Sequence, residues 1–210
     1  MKRNSLWPLS LHQNHFIMEN RNYTAVYRIM HWAIALCMLL LLLTIFLRLT
    51  WMNKNNVALI IQDYLATTDQ KLSQDQMIVL AKKIRKPMWD WHIYFGYALV
   101  GLYSLRMLLP AFGKMPIANP FTKTLSSKTK FQYFIYLVFY LFVAASLVTG
   151  LLIEWGPKEV KDTVETIHKL SLYYLLAFIV LHIGGVLLAE MTNSKGIVSS
   201  IISGTNKAKE

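Results

Sequence analysis

The chain has 210 residues, of which 55% are hydrophobic and 16% are charged, and its mean hydropathy of +0.37 is higher than that of a soluble domain of this size. The net charge of +11 is spread over tails and connections between apolar segments, which is typical of a membrane protein and argues against a nucleic-acid-binding surface. Cys37 is the single cysteine, so an internal disulfide and covalent haem attachment through C-x-x-C-H are excluded.

Four apolar runs reach the roughly 20 residues that a membrane-spanning helix needs. They predict an all-α, integral membrane four-helix bundle over residues 26–190, with a polar N-terminal tail (1–25) and a C-terminal tail (191–210). In chain order the runs are residues 26–47, 91–109, 131–153 and 167–189.

The first connection, residues 51–88, is far longer than the others. Its segments VALIIQDYLA and DQMIVLAKKI have apolar residues at mixed i+3 and i+4 spacings, which predict two short amphipathic helices on the membrane surface. A partly ordered loop is an equally compatible interpretation. With the N-terminus inside the cell, inner segments carry 11 Lys and Arg and outer segments carry 8, which favours that orientation.

Four of the six histidines lie inside predicted spans, where an ionisable side chain indicates function because a charged group there costs about 2.5–3.5 kcal/mol. His168 and His182 are fourteen residues apart, so on one helix they face the same side at two depths, about 21 Å apart. If neighbouring spans are antiparallel, His92 shares the depth of His168 and His31 shares the depth of His182.

Two imidazoles facing each other in a membrane favour haem b, because haem iron takes one axial ligand on each face. Zinc usually needs four protein ligands, and copper gains little from a buried two-ligand site. With both axial positions filled, the expected chemistry is electron transfer rather than oxygen activation.

Two further residues are candidates for cofactor binding. Gly96 lies one turn after His92 on the same face, where the missing side chain would let a porphyrin approach. Arg106 lies fourteen residues after His92 and could neutralise haem propionates or meet a quinone head group, although an arginine at a helix end also commonly extends to the interface. Arg28 and Lys169 are weaker candidates for the same role.

Three alternatives stay open on the residues alone. The histidines could be unrelated, hydrogen-bonded side chains of a helical bundle. They could relay protons in a transporter, for which Ser146, Thr149 and Ser171 offer a sparse polar path. The chain could also be a cofactor-free membrane anchor for a catalytic subunit.

The segments YRIMHW, WHIYFGYALVGLYSLRML and IHKLSLYYLLAFIVLHIGGVL resemble the bacterial cytochrome b561 family, which includes the di-haem cytochrome b subunits of nickel-iron hydrogenases. The resemblance implies one haem b between His31 and His182 and another between His92 and His168, the pairs that depth also favours. The long first connection departs from the compact members of that family.

The resemblance also implies a multi-pass protein of the bacterial inner membrane with a cytoplasmic N-terminus. Its function would be electron transfer between a quinone pool and a redox partner such as a hydrogenase, a dehydrogenase or a cytochrome c. The chain would then be an electron-transfer protein or the membrane subunit of an oxidoreductase, in contact with lipid and quinone and not with nucleic acid.

Overall fold

The computed structural model describes residues 23–192 and 195–204, and it is all-α with no strand in that part of the chain. Four helical segments are long and apolar enough to cross a membrane, so the predicted fold class and the four spans are confirmed. They are Ala25–Leu49, Lys86–Phe112, Ser127–Trp155 and Lys158–Met191. Most of the predicted N-terminal tail, with His12 and His15, lies outside the described residues, as do residues 205–210.

Helix α1 (Ala25–Leu49) is the first span, and two helices then occupy the long connection. Helices α2 (Lys54–Leu65) and α3 (Gln74–Ile84) pack against each other through a small apolar core. The core is formed by Val57, Ala58, Met77 and Ala81. Asn53 caps α2, and a capping box between Ser73 and Gln76 starts α3. The two short helices expected in this connection are therefore present.

Helix α4 (Lys86–Leu108) begins five residues before the apolar run, because Pro87 in its first turn has a backbone suited to starting a helix. A short 3-10 turn, Leu109–Phe112, extends it until Gly113 ends the segment with a φ of 70°. Helix α5 (Ser127–Trp155) is the third span, and the Ser126 side chain caps its start.

The fourth span consists of two helices and not one. After a 3-10 turn at Lys158–Val160, helix α6 runs from Lys161 to Lys169 and helix α7 runs from Ser171 to Met191. At the junction the Leu170 amide bonds to the carbonyl three residues earlier, so the regular α-helical pattern is interrupted there. Ideal helix geometry therefore does not describe the whole path from His168 to His182, and their common face stays a prediction.

A short helix, α8 (Ile197–Ser203), lies within the segment predicted as the C-terminal tail. The Glu190 carboxylate accepts hydrogen bonds from the amides of Gly196 (2.8 Å) and Val198 (3.1 Å), which hold the start of this helix. Arg28 of α1 donates to the Ile202 carbonyl at 3.0 Å and holds its end. Both ends of α8 are thus attached to membrane-spanning helices.

Contacts divide the described chain into two compact units. One contains residues 32–174. The other contains residues 23–31 together with residues 175–192 and 195–204. The boundary falls inside α1 and α7, and each unit contains two of the four intramembrane histidines.

Candidate functional site

The smaller unit brings His31 of α1 together with His182 of α7. Their ring centroids are 6.0 Å apart, and the ring planes are inclined by 42°. Phe178, one turn before His182, stacks on its ring with a centroid distance of 5.5 Å and an angle of 13°. The aromatic face limits how the His182 ring can turn.

The larger unit brings His92 of α4 together with His168 at the end of α6. These ring centroids are 6.5 Å apart, and the planes are almost perpendicular at 89°. Trp89 stacks on the His92 ring at 5.0 Å with an angle of 6°. The guanidinium carbon of Arg48 lies 4.8 Å from the Trp89 ring centroid, so a cation also lies against the indole.

Arg48 has another basic residue near it at this end of the spans. Arg85, the residue before α4, donates a long hydrogen bond of 3.4 Å to the Met52 carbonyl. Burial lowers the pKa of Arg85, and repulsion from Arg48 lowers it further. Two positive charges, on Arg48 and Arg85, therefore lie at this end of the spans.

A hydroxyl of the first span holds the His92 ring. Thr44 Oγ1 lies 2.7 Å from Nδ1 of His92, and the same oxygen lies 2.6 Å from the Leu41 carbonyl of its own helix. Thr44 is 6% exposed, so water does not compete strongly for these bonds. The His92 ring is fixed by this contact on its edge and by Trp89 on its face.

The third span, which carries no histidine, forms a cradle for His168. Nδ1 of that ring lies 3.0 Å from Thr149 Oγ1 and 3.1 Å from the Ser146 carbonyl oxygen. A Cβ at Gly150 would meet Cε1 of His168 at 3.2 Å, which is tighter than an ordinary contact. The missing side chain at Gly150 therefore lets the ring lie close to α5.

Next to this cradle is a cluster of hydroxyl groups between α5 and the fourth span. The Ser146 hydroxyl makes short hydrogen bonds to the hydroxyls of Ser171 and Tyr174. Phe142 stacks on the Tyr174 ring at 5.1 Å. These three polar groups satisfy one another, which is what side-chain hydroxyls in an apolar environment require.

The structure places the two other predicted site residues as follows. A Cβ at Gly96 would meet nothing within 4 Å, so the face of α4 one turn beyond His92 is open. Arg106 is buried (6% exposed), donates to the Met115 carbonyl at 2.8 Å, and lies 5.5 Å from the Tyr140 ring centroid. Its side chain therefore does not extend to an exposed position.

The weaker basic candidates are engaged elsewhere. Arg28 bonds to α8, and Lys169 makes an i,i+4 ion pair with Glu165 at 2.9 Å. No role is predicted from the sequence for Thr44, Trp89 and Phe178, and Thr149 is predicted only as part of a sparse proton path. The available signal for Thr44 was that it is the one hydroxyl in the run LCMLLLLLTIFL.

The two histidine pairs suit a metal that is approached from opposite sides. An imidazole nitrogen binds a first-row metal at about 2.0–2.1 Å and lies about 1.2 Å from its ring centroid, so two trans imidazoles have centroids roughly 6.4 Å apart. The observed 6.0 Å and 6.5 Å are close to this value. Among the described residues no group of three or more His, Cys, Asp or Glu side chains could hold a metal ion. Other equatorial ligands, such as those of a macrocycle, would have to complete the coordination.

Searches among curated proteins and among solved structures gave no match to this chain. A family model for prokaryotic cytochrome b561, in contrast, matches residues 22–204, which include all four spans and both histidine pairs. The chain therefore belongs to the prokaryotic cytochrome b561 family and is a membrane protein that binds haem b and transfers electrons.

Proposed function

We propose that the protein is a di-haem cytochrome that carries electrons across the membrane between a quinone pool and a redox partner. One haem b would be held by His31 and His182 and the other by His92 and His168. Bound haem would supply reversible one-electron chemistry at iron, and iron held by both histidines of a pair would have no open position for a substrate. The protein would then act by relaying electrons, alone or as the membrane subunit of an oxidoreductase.

The observation that carries this proposal is the separation of the rings in each pair. Both centroid distances are close to the roughly 6.4 Å expected for trans imidazoles on one metal, although the two pairs lie on different combinations of helices. All four rings are partly exposed, so part of each ring is open to a cofactor. Two pairs of unrelated core histidines would not be expected to share this separation.

Gly96 and Arg106 support the proposal in different ways. The open face at Gly96 offers a porphyrin a close approach to α4 beside His92. Arg106 uses one of its five N–H groups on the Met115 carbonyl and keeps a buried positive charge, which favours an anionic or polar cofactor group such as a propionate or a quinone head group.

The proposed orientation has the N-terminus in the cytoplasm of a bacterium and the chain in its inner membrane. The excess of basic residues on the inner segments supports it. The His31–His182 haem would then be near the cytoplasm and the His92–His168 haem near the periplasm. Reporter fusions after Gly113 and in the α2–α3 connection test the orientation, because the first must report a cytoplasmic and the second a periplasmic location.

The decisive experiment counts haem in the purified chain by pyridine haemochrome assay and records the reduced-minus-oxidised spectrum. We expect two haem b per wild-type chain and one in each of His182→Ala and His168→Ala. The matched controls are His12→Ala and His15→Ala, which remove tail histidines and should retain two. A wild-type chain without haem, or a His182→Ala variant with two, contradicts the proposal.

The partner can be identified by its redox chemistry. Reduction of the haems by a quinol analogue and re-oxidation by a purified hydrogenase, dehydrogenase or cytochrome c would identify the two sides of the relay. If no quinol analogue reduces or re-oxidises either haem, the quinone part of the proposal is wrong.

A further inference from the structure

We propose that Thr44 and Thr149 are positioning residues for the His92–His168 pair, and that they set the reduction potential of the haem bound there. Each hydroxyl oxygen accepts a hydrogen bond from the Nδ1–H of one histidine, which keeps the proton on Nδ1 and leaves the lone pair of Nε2 for the iron. This inference rests on the proposed di-haem function. It assigns a role to the third span, which contributes no iron ligand.

The direction of the hydrogen bond to His92 follows from the carbonyl next to it. Thr44 Oγ1 lies 2.6 Å from the Leu41 oxygen, which can only accept, so the single hydroxyl proton of Thr44 is donated there. Towards His92 Nδ1, at 2.7 Å, the same oxygen must therefore accept. A neutral imidazole with its proton on Nδ1 has its free lone pair on Nε2, the tautomer that can bind iron.

Nδ1 of His168 also carries its proton, because of different groups. Its Nδ1 lies 3.1 Å from the Ser146 carbonyl oxygen, so Nδ1 must carry the proton. The Thr149 hydroxyl can donate to the carbonyls of Ala145 (2.8 Å) and Ser146 (3.0 Å), and it accepts from Nδ1 at 3.0 Å. Both rings of this pair are thus held in the same tautomer by an acceptor at Nδ1, on different helices.

An acceptor at Nδ1–H has an electronic effect as well as a steric one. It makes the imidazole a stronger donor through Nε2, and a stronger donor stabilises ferric iron more than ferrous iron. Removal of the acceptor should therefore raise the reduction potential of the haem held by this pair. The haem held by His31 and His182 has neither threonine as a hydrogen-bonded neighbour in the described contacts and should keep its potential.

The test compares Thr44→Val and Thr149→Val, which remove a hydroxyl at nearly constant volume, with Thr44→Ser and Thr149→Ser, which retain it. Thr50→Val is the matched control, because the Thr50 hydroxyl, one residue after α1, bonds to the Phe46 carbonyl and to neither histidine in the part of the chain that the structure describes. Each purified holoprotein is assayed for haem per chain and titrated potentiometrically while its visible and ferric low-spin EPR spectra are recorded.

We expect Thr44→Val to shift one haem by about tenfold in its ferrous-to-ferric ratio at fixed potential, which is about 59 mV upward for one electron. Thr149→Val should shift the same haem upward by less, because Nδ1 of His168 keeps the Ser146 carbonyl as an acceptor. The serine variants and Thr50→Val should titrate like the wild type. Loss of one haem in a valine variant and its retention in the serine variant also supports the assignment, because the loss then follows the hydroxyl.

Two results would overturn the inference alone. One is a wild-type chain with two haems whose valine variants keep both the haem content and both potentials. The other is an equal shift in Thr50→Val. A wild-type chain without haem, or a His168→Ala variant with two haems, overturns the proposed function and the inference together, so the two kinds of failure are distinguishable.

Discussion

Replacing Gly150 by alanine would add a methyl group 3.2 Å from Cε1 and 3.8 Å from Nδ1 of His168. Ordinary carbon–carbon contacts are about 3.5–4.0 Å, so the ring must retreat by about 0.3 Å or more. The retreat would strain the hydrogen bonds that Nδ1 makes to Thr149 and to the Ser146 carbonyl. The variant therefore tests whether the cradle on α5 determines the position of the ligand.

The expected magnitude is a balance of two effects. Overpacking costs about 1–3 kcal/mol, whereas alanine inside a helix is favoured over glycine by about 0.5–1 kcal/mol. The net loss is about 1.3 kcal/mol at the middle of these ranges and about 2.5 kcal/mol at most, and it falls on the His92–His168 site. At about 1.4 kcal/mol per tenfold, haem affinity there should fall roughly eightfold and by no more than about sixtyfold, while the haem proposed for His31 and His182 is retained.

The assay is the transfer of haem from the detergent-solubilised protein to excess apomyoglobin, with haem per chain measured at the start and the end. Gly101→Ala is the matched control, because a Cβ at Gly101 meets nothing within 4 Å. If Gly150→Ala releases haem at the wild-type rate, His168 is not pressed against α5 and the cradle is wrong. Equal loss of both haems would also refute the reasoning, because it predicts an effect on one site.

Three further outcomes are expected. Gly96→Ala should not lower the unfolding temperature of the haem-free chain, because the added methyl meets no protein atom and alanine is favoured over glycine inside a helix. It should nevertheless lower haem content in the pyridine haemochrome assay, and full haem content would show that no porphyrin covers this face. Ferric EPR should show two different low-spin signals. The more anisotropic signal is expected from the histidine pair whose ring planes are inclined at 89°, and the other from the pair whose planes are inclined at 42°. One signal for both haems would contradict this. Arg28→Ala removes the hydrogen bond to α8, which is worth about 1 kcal/mol, so the rate of amide exchange in α8 should rise roughly fivefold. An unchanged exchange rate would show that this bond does not hold the helix.

Much of the fold follows from hydropathy, because spans must be long, apolar and helical to satisfy their backbone in lipid. The ends of the helices were less predictable. Pro87 starts α4 five residues before the apolar run. The helix is interrupted at Leu170 although no glycine or proline lies beside that residue. Local hydrogen bonding and packing decide such details, and no pattern in the printed sequence records them.

The candidate site, like the fold, could be predicted from the sequence only in part. The two histidine pairs could be predicted, because an intramembrane histidine is costly and depth leaves few partners. Thr44 could not be assigned, because a threonine inside a helix ordinarily bonds to a carbonyl of its own turn, as Thr44 does with Leu41. Only the position of the neighbouring helix shows that the same oxygen also reaches His92.

The His92–His168 pair depends on all four spans, although only two of them carry its histidines. Helix α1 supplies Thr44, α4 supplies His92 and Trp89, α5 supplies the cradle, and α6 supplies His168. A ligand held by hydrogen bonds and close packing from neighbouring helices would lose little freedom on binding iron, and it would change little in position when the iron changes charge. Small reorganisation is what rapid outer-sphere electron transfer requires, so the span without histidines contributes to the proposed function by holding a ligand still.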